Sequence, residues 1–324
     1  MSAKPGSGRP VAGALLLGRR ANYFVTIREP FLFELAKDSR RLASAVLRRI
    51  STTTQVRFNY PLWTGASRFK VPVINGVGAD LLKNREAWLD AVIALLVRED
   101  PSAVFVDVGA NIGQTMLKVR AAHPTIAYVA FEPNPYCVHY LRELIQQNEQ
   151  LADVVVYPVG LSDKTQILFL ILENLVDLEG TVVGNFRKGD DRKIKIPVAL
   201  FHPRDLAQAM NFRMLLKIDV EGGELDVLQG LSENLSAHRS PVICEVLPAY
   251  SADNWVRVER QTALQALLAE WNYVAVRVPA REPPSVVSEF GIHSNLDWIN
   301  YVLVAKEQSD LIAKILSLKI APAS

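Results

Sequence analysis

Cysteine and long apolar runs are scarce in this 324-residue sequence. The two cysteines, Cys137 and Cys244, stand in separate apolar segments without a second thiol nearby, which excludes a disulfide framework and a cysteine-based zinc site. No segment reaches the roughly eighteen uninterrupted apolar residues that a membrane helix needs. The longest early run, residues 11–18, ends at two arginines and lacks the cleavage site of a signal peptide. We therefore predict a cytoplasmic protein.

Acidic residues are scarce at the N-terminus. Residues 1–70 contain thirteen lysines or arginines against three acids, a balance of +10, and the net charge of +2 then leaves −8 for the remainder. The first thirty residues are nearly free of acids, so an organelle transit peptide is an alternative to a cytoplasmic location. The basic N-terminal part and the acidic remainder of the chain are therefore expected to contact different partners.

Three interpretations of the basic N-terminal region are open. Residues 30–50 carry apolar side chains at helical spacing with four arginines between them, which predicts a helix. Such a helix would pack on the main domain or on a second subunit, bind an anionic membrane surface, or contact an anionic acceptor. Nucleic acid is disfavoured as a partner, because the acidic remainder of the chain would repel a phosphate backbone.

Strands and helices alternate along the chain from residue 101, which predicts a parallel sheet with helices on both faces. The predicted strands of this doubly wound α/β sheet are 103–108, 126–131, 153–159, 215–220 and 242–246. Two strands near the end, 273–278 and 298–304, are joined by a loop without a helix, which suits an antiparallel pair. Between residues 165 and 198, β-rich segments broken by glycine predict a hairpin insertion.

These elements divide the chain into three parts. The first is a basic N-terminal extension, residues 1–100, with the helix described above, short strands at 55–60 and 68–74, and a helix at 88–97. The main domain covers residues 101–306, and residues 307–324 form a C-terminal tail or helix. This length suits one large domain with an extension.

The first strand of the main domain leads into a loop that contains two glycines. Gly109 and Gly113 allow the backbone to approach a ligand at a strand-to-helix turn. Asp107 closes the strand, where its carboxylate would order the loop or meet a ligand ammonium group. A dinucleotide-binding loop would have glycine where this chain has Asn111. That difference favours a cofactor without phosphates over NAD.

Two further acids follow the second and third strands. Glu132 stands about twenty residues past the glycine loop, where a carboxylate binds both hydroxyls of a ribose. Asp163 would lie over the neighbouring crevice, within reach of an adenine amino group. Each acid has a structural alternative, because acids at such positions also cap helices or form Ser-Asp turns.

Five short segments resemble the FkbM family of methyltransferases in their order and spacing. They are residues 107–113 (DVGANIG), 131–134 (FEPN), 161–164 (LSDK), 217–225 (KIDVEGGEL) and 244–246 (CEV). The similarity covers about residues 68–305, and a parallel sheet finished by an antiparallel strand is the layout of class I methyltransferases. Two segments depart from the family's pattern, 200–206 and 245–247, and both lie near the expected acceptor side.

The resemblance implies S-adenosylmethionine as the cofactor and methylation of a hydroxyl on a sugar, a glycan or another small molecule. It also implies a set of residues that line the cofactor: Asp107, Gly109, Asn111, Gly113, Glu132 and Asp163.

The acceptor must lose a proton when its hydroxyl is methylated, so a base within hydrogen-bond reach is expected. Parallel-sheet enzymes place such groups beyond the carboxyl ends of their strands. We predict Asp219 as the base, with Glu221 and Glu245 as the other catalytic residues. Acids that stabilise a helix N-terminus are the alternative for the segment from Glu221 to Glu224. No metal is predicted, although these acids are also of the type that binds a divalent cation.

The predicted function is therefore S-adenosylmethionine-dependent O-methylation of a small-molecule or glycan acceptor. An NAD-linked or other nucleotide-binding enzyme on a similar sheet is one alternative. A catalytically silent methyltransferase-like scaffold, which binds partners through its N-terminal region, is the other. A homo-oligomer is compatible with each of these.

Overall fold

The computed structural model describes residues 25–26, 40–83, 86–174, 177–178, 180–184, 194–206 and 210–320. The N-terminal part of these residues contains a small sheet and two helices. Its elements are β1 (Val25–Thr26), α1 (Arg40–Thr54), β2 (Phe58–Thr64), β3 (Ser67–Val73) and α2 (Ala87–Glu99). β1 pairs in parallel with β2, and β2 pairs antiparallel with β3. The first ten residues of the helix predicted at 30–50 lie outside the described residues.

Helix α1 turns small side chains towards the protein and larger aliphatic side chains towards solvent. Its buried residues are Ala43, Ser44, Leu47 and Ser51, whereas Leu42, Val46 and Ile50 are exposed. The helix lies against the turn at Ala79–Leu82, where the Ser44 hydroxyl donates to Asp80 over 3.2 Å and Arg48 forms an ion pair with the same carboxylate. Ion pairing and packing thus attach α1 to the extension.

The remaining helices and strands follow from residue 104. They are β4 (Val104–Val108), α3 (Gln114–Ala122), β5 (Tyr128–Phe131), α4 (Pro135–Gln146), β6 (Val155–Tyr157), β7 (Gly160–Leu161), β8 (Gln166–Leu172), β9 (Ile194–Phe201), β10 (Met214–Ile218), α5 (Glu224–Gly230), α6 (Ser232–His238), β11 (Val242–Glu245), α7 (Trp255–Glu270), β12 (Tyr273–Arg277), β13 (Ser285–Val287), β14 (Asn300–Ala305) and α8 (Ser309–Leu316).

The main sheet has the strand order β13-β12-β14-β11-β10-β4-β5-β6. The strands from β11 to β6 in this order are parallel, and β14 lies antiparallel between β11 and β12. The predicted doubly wound sheet with a terminal antiparallel pair is therefore confirmed. The sequence did not predict the edge strand β13, because its three residues are too few to show a periodic pattern.

Helices cover both faces of this sheet. One hydrophobic cluster joins the sheet to α1–α4 and α8, and a second joins the opposite face to α5–α7. Phe105 and Val106, adjacent in β4, point into the first and the second cluster respectively. The central strands are consequently buried on both sides, which explains why they stand out as apolar runs in the sequence.

The first cluster crosses the boundary predicted at residue 100. Phe69 of β3 and Val92 of α2 are buried in the same core as Phe105 and Tyr128 of the sheet. The boundary itself falls between α2 and β4. Removing the extension would therefore expose part of the core on this face of the sheet, which α3, α4 and α8 also cover.

The insertion predicted between residues 165 and 198 is a hairpin. β8 and β9 pair antiparallel from Gln166 opposite Leu200 to Leu172 opposite Ile194, and β7 adds a parallel strand beside β9.

Among the helices of the described residues, none combines the length and the apolar character that crossing a bilayer requires.

Candidate functional site

A cavity of about 500 Å³ opens at the carboxyl ends of the central strands. The order of the strands reverses between β4 and β10, and parallel sheets bind ligands at such a switch point. The volume lies in the range of small-molecule sites, roughly 300 to 1,000 Å³. The cavity wall includes seven of the predicted site residues: Gly109, Asn111, Glu132, Asp163, Asp219, Glu221 and Glu245.

The loop after β4 approaches the loop after β10 at Gly109. A Cβ atom on Gly109 would lie 1.9 Å from the carbonyl oxygen of Asp219, and the residue has a φ of 86°. Only glycine fits this conformation and this contact. The close approach brings the predicted cofactor loop and the predicted base to one wall of the cavity.

Two predicted cofactor residues, Asp107 and Gly113, are not part of the cavity wall. Gly113 has a φ of 87°, and a Cβ there would meet Leu141 and Leu144 of α4, so it serves the packing of α3 on α4. Asp107 is fully buried beneath the cavity, where the Tyr128 hydroxyl donates to its carboxylate over 2.5 Å. Burial raises the pKa of Asp107.

Glu132 presents a buried carboxylate to the cavity. The backbone N–H groups of Asn111 and Asn134 donate to its two oxygens over 2.7 and 2.8 Å. Each oxygen can accept a further hydrogen bond, so the pair suits a ligand diol. Burial raises the pKa of Glu132 to about 7, although the two backbone donors oppose that rise. The Asn134 side chain caps α4, because it accepts from the N–H of Tyr136 at the start of that helix.

Asp163 lines the cavity beyond the end of β7. The Ser162 hydroxyl donates to its carboxylate over 3.1 Å, and the ammonium group of Lys164 lies 3.5 Å away. The Ser-Asp turn and the position beside the cavity, which were alternatives in the sequence, are therefore both present.

Three acids follow the ends of β10 and β11. Asp219 has a side chain that is 33% exposed and lies 3.0 Å from the ammonium group of Lys217. Glu221 has a φ of 55°, a left-handed conformation that costs free energy in a non-glycine residue. Burial, together with Asp219 and Glu221, raises the pKa of Glu245 well above its ordinary value. The structure thus brings all three predicted catalytic residues to the same cavity.

Lys217 is a site residue that the sequence analysis did not name. It is buried in β10, 3.0 Å from Asp219 and 3.7 Å from Asp107. Although burial lowers the pKa of Lys217, the carboxylates of Asp219 and Asp107 raise it above its ordinary value. The sequence does contain a signal for this residue, because a lysine inside an otherwise apolar strand requires a buried partner.

The hairpin insertion forms the outer wall of the cavity. Its aliphatic side chains there are Leu168, Leu170, Val182, Val183 and Leu200. Three hydrogen bonds attach the end of the hairpin to the loops that follow β4, β5 and β10. The Asn111 and Asn134 side-chain amides donate to the carbonyls of Leu178 and Asp177, each over 3.0 Å, and the Thr181 hydroxyl donates to the carbonyl of Glu221 over 2.7 Å. The sequence predicted the hairpin but not its attachment to the site.

His202 lies in the loop directly after β9. Its Nδ1 accepts from the N–H of Arg204 at the end of β9, and the residue is not in the cavity wall. Within the described part of the chain, no group of three or more His, Cys, Asp or Glu side chains is arranged to hold a metal ion.

The sequence is similar to those of known methyltransferases. A family model described as the methyltransferase FkbM domain matches residues 107–275. The methyltransferase sdnD of Sordaria araneosa is 31% identical over 163 residues, which are 41% of this chain and 62% of sdnD. The chain thus spans less than two thirds of that relative's length.

Two solved structures are similar in outline. Methyltransferase FkbM from Methylobacillus flagellatus is 13% identical, with a TM-score of 0.40 over 80% of this chain and 70% of that one. TYW2 of M. jannaschii, solved in complex with AdoMet, is 13% identical, with a TM-score of 0.33 over 76% of this chain and 83% of that one.

Proposed function

This chain belongs to the FkbM family of methyltransferases, and from that membership we propose that it transfers a methyl group from S-adenosylmethionine to a hydroxyl of a sugar, a glycan or another small molecule. The observation that carries the proposal is one shared cavity. Glu132, suited to a ribose, lines the same space as Asp219, suited to be a base. A cofactor site and a proton acceptor are the two parts that O-methylation needs.

The residues present fit the proposed cofactor. Glu132 retains acceptor capacity for the two ribose hydroxyls, and Asp163 is placed to accept from the adenine amino group. The backbone of Gly109 and Asn111 forms the adjoining wall. When bound, the cofactor supplies an electrophilic methyl group on a positively charged sulfur, and the acids around the cavity favour that charge.

Asp219 is suited to accept the proton that the acceptor hydroxyl loses as its oxygen is methylated. Its side chain is partly exposed in the cavity, and the ammonium group of Lys217 donates to its carboxylate over 3.0 Å. Glu245 has the opposite character. Because its pKa is raised by burial and by two neighbouring acids, it favours the protonated form and is suited to donate a hydrogen bond to the acceptor.

The acceptor that fits this cavity is neutral. Among the described residues of its wall, the two cations are already paired. Arg260 donates to Asp226 over 2.5 Å and to the carbonyl of Gly222 over 2.7 Å, and Lys164 lies 3.5 Å from Asp163. An anionic group would face several acids at short range, so a hydroxylated acceptor without phosphate is favoured over a nucleotide-sugar.

Calorimetric titration of the purified protein with S-adenosylmethionine, S-adenosylhomocysteine and NAD tests the proposal. We expect micromolar binding of the two methionine-derived ligands and none of NAD. Binding of NAD alone would overturn the proposal in favour of an oxidoreductase. Absence of binding by all three would indicate a scaffold. If the cofactor binds, neutral hydroxylated compounds and their phosphorylated counterparts are assayed with radiolabelled methyl donor, and the neutral set should be methylated preferentially.

A further inference from the structure

A buried ammonium group lies among carboxylates from four segments of the chain. Lys217 of β10 lies directly opposite Asp107 of β4, and its own strand continues to Asp219. The next strand, β11, ends at Glu245, and Glu86 precedes α2 in the N-terminal extension. Only about 9% of the Lys217 side chain is exposed, so water does little to solvate its charge.

Lys217 favours the charged form of three of these carboxylates. Burial raises the pKa of Asp107, of Glu86 and of Glu245, and in each case Lys217 opposes the rise. The Tyr128 hydroxyl is a further donor to Asp107, and Lys118 lies beside Glu86 and Asp90. Among these groups, Lys217 is the cation that directly contacts Asp219, the residue that faces the cavity.

We propose that Lys217 is a positioning residue for methyl transfer, which holds the Asp219 carboxylate aimed into the cavity while Asp107 anchors the ammonium group from below. The distances of 3.0 Å to Asp219 and 3.7 Å to Asp107 form a chain from the hydroxyl of Tyr128 to the cavity. Lys217 itself lies outside the cavity wall and does not reach the reacting atoms. This inference rests on the proposed function, because it assigns Asp219 the role of base.

Replacing Lys217 tests the proposal at two levels. Lys217→Met keeps the length of the side chain and removes the charge, whereas Lys217→Arg keeps the charge. In the methionine variant we expect kcat to fall roughly 100-fold with little change in the affinity for S-adenosylmethionine, because the base is misplaced and the cofactor site is intact. The arginine variant should recover a large part of the lost kcat.

The pH profile separates positioning from packing. Without the cation, the neighbouring carboxylates bind protons more readily, so the acidic limb of the kcat profile should move to higher pH. A methionine variant that is folded, binds the cofactor and retains the kcat and the pH profile of the wild type would overturn the inference.

Unfolding measurements test the role of Lys217 as a counter-ion without the need for an activity assay. Loss of Lys217 should lower the midpoint of thermal unfolding more at pH 8 than at about pH 5.5, because Asp107, Glu86 and Glu245, whose pKa values burial raises, carry more negative charge at the higher pH. An equal loss at both pH values would show a packing role and overturn the inference. If Lys217→Met does not fold, the double variant Lys217→Met/Asp107→Asn, which removes a carboxylate with the cation, carries the same tests. A wild type that binds no cofactor would defeat the proposed function alone, since the unfolding test still applies.

Discussion

The backbone N–H of Asn111 donates a 2.7 Å hydrogen bond to the carboxylate of Glu132, and this bond joins the loop after β4 to the end of β5. Asn111 has a φ of 51°, so the loop adopts a left-handed conformation at that residue. The same carboxylate accepts from the N–H of Asn134, which begins the segment leading to α4. Glu132 therefore stabilises the conformation of the loops that follow β4 and β5, and it also faces the cavity.

Replacing Glu132 with alanine should weaken S-adenosylmethionine binding roughly tenfold to 100-fold. The variant loses a charged acceptor for the ribose, and hydrogen bonds to charged groups are worth about 1.5 to 3 kcal/mol. Calorimetry on the folded variant measures the change, with Glu149→Ala, an exposed glutamate, as the matched control. Wild-type affinity in a folded Glu132→Ala protein would remove Glu132 from the cofactor site.

The ligand-free protein should become less stable as the pH rises from about 5 to about 8. Burial raises the pKa of both Glu132 and Glu224 to about 7, against about 4.3 in an unfolded chain. Between these values the folded state binds more protons than the unfolded state, so the free energy of unfolding falls with increasing pH. Between these two pKa values, each group changes the free energy of unfolding by up to about 1.4 kcal/mol per pH unit. The stabilisation that each group contributes is fully present below about pH 4.3 and is lost as the pH rises past about 7.

Urea unfolding across this pH range measures the effect. Glu132→Gln and Glu224→Gln each remove one titrating group, and each should make the pH dependence shallower. If both glutamine variants follow the wild-type dependence, the two carboxyl groups are not the cause.

The sequence predicted the central architecture because the parallel strands are buried on both faces. β10 is apolar apart from Lys217 and β11 is apolar up to Glu245, and acids mark the ends of both strands, Asp219 after β10 and Glu245 in β11. Parallel strands bring their carboxyl ends to one edge, so the meeting of these acids followed from their positions in the chain. Periodicity and loop length predicted the parallel sheet and the terminal antiparallel pair, whereas they did not predict the order of the strands.

Contacts between distant segments were not predictable in the same way. The attachment of Leu178 to Asn111 uses a backbone carbonyl, which no residue type in the sequence marks. Burial of Asp107 under the cavity also depends on how α2 and α3 cover the sheet. Lys217 is different, since an ionisable residue within a buried strand was visible in the sequence and indicated a buried ion pair.

Replacing Asp219 with asparagine should lower kcat by about 10² to 10⁴ and leave the cofactor affinity nearly unchanged. An amide keeps the size of the side chain and still accepts a hydrogen bond from Lys217, but it cannot take a proton from the acceptor. Single-turnover assays with bound cofactor measure the chemical step, with the exposed Asp310→Asn as the control. Normal turnover in the variant would move the base to Glu221 or Glu245, which glutamine substitutions then distinguish.

Replacing Thr181 with valine should lower kcat roughly tenfold, whereas serine should preserve it. The Thr181 side chain is buried, and its hydroxyl donates over 2.7 Å to the carbonyl of Glu221, a residue held in a left-handed conformation. Valine has nearly the same shape but leaves that carbonyl without its donor, at a cost of about 1 to 3 kcal/mol. Serine retains the donor and loses only a methyl group. If the two variants have equal kcat, the loop of Gly222 and Glu224 places Glu221 by itself, through the 2.8 Å hydrogen bond between these residues, and the hairpin serves only as a wall.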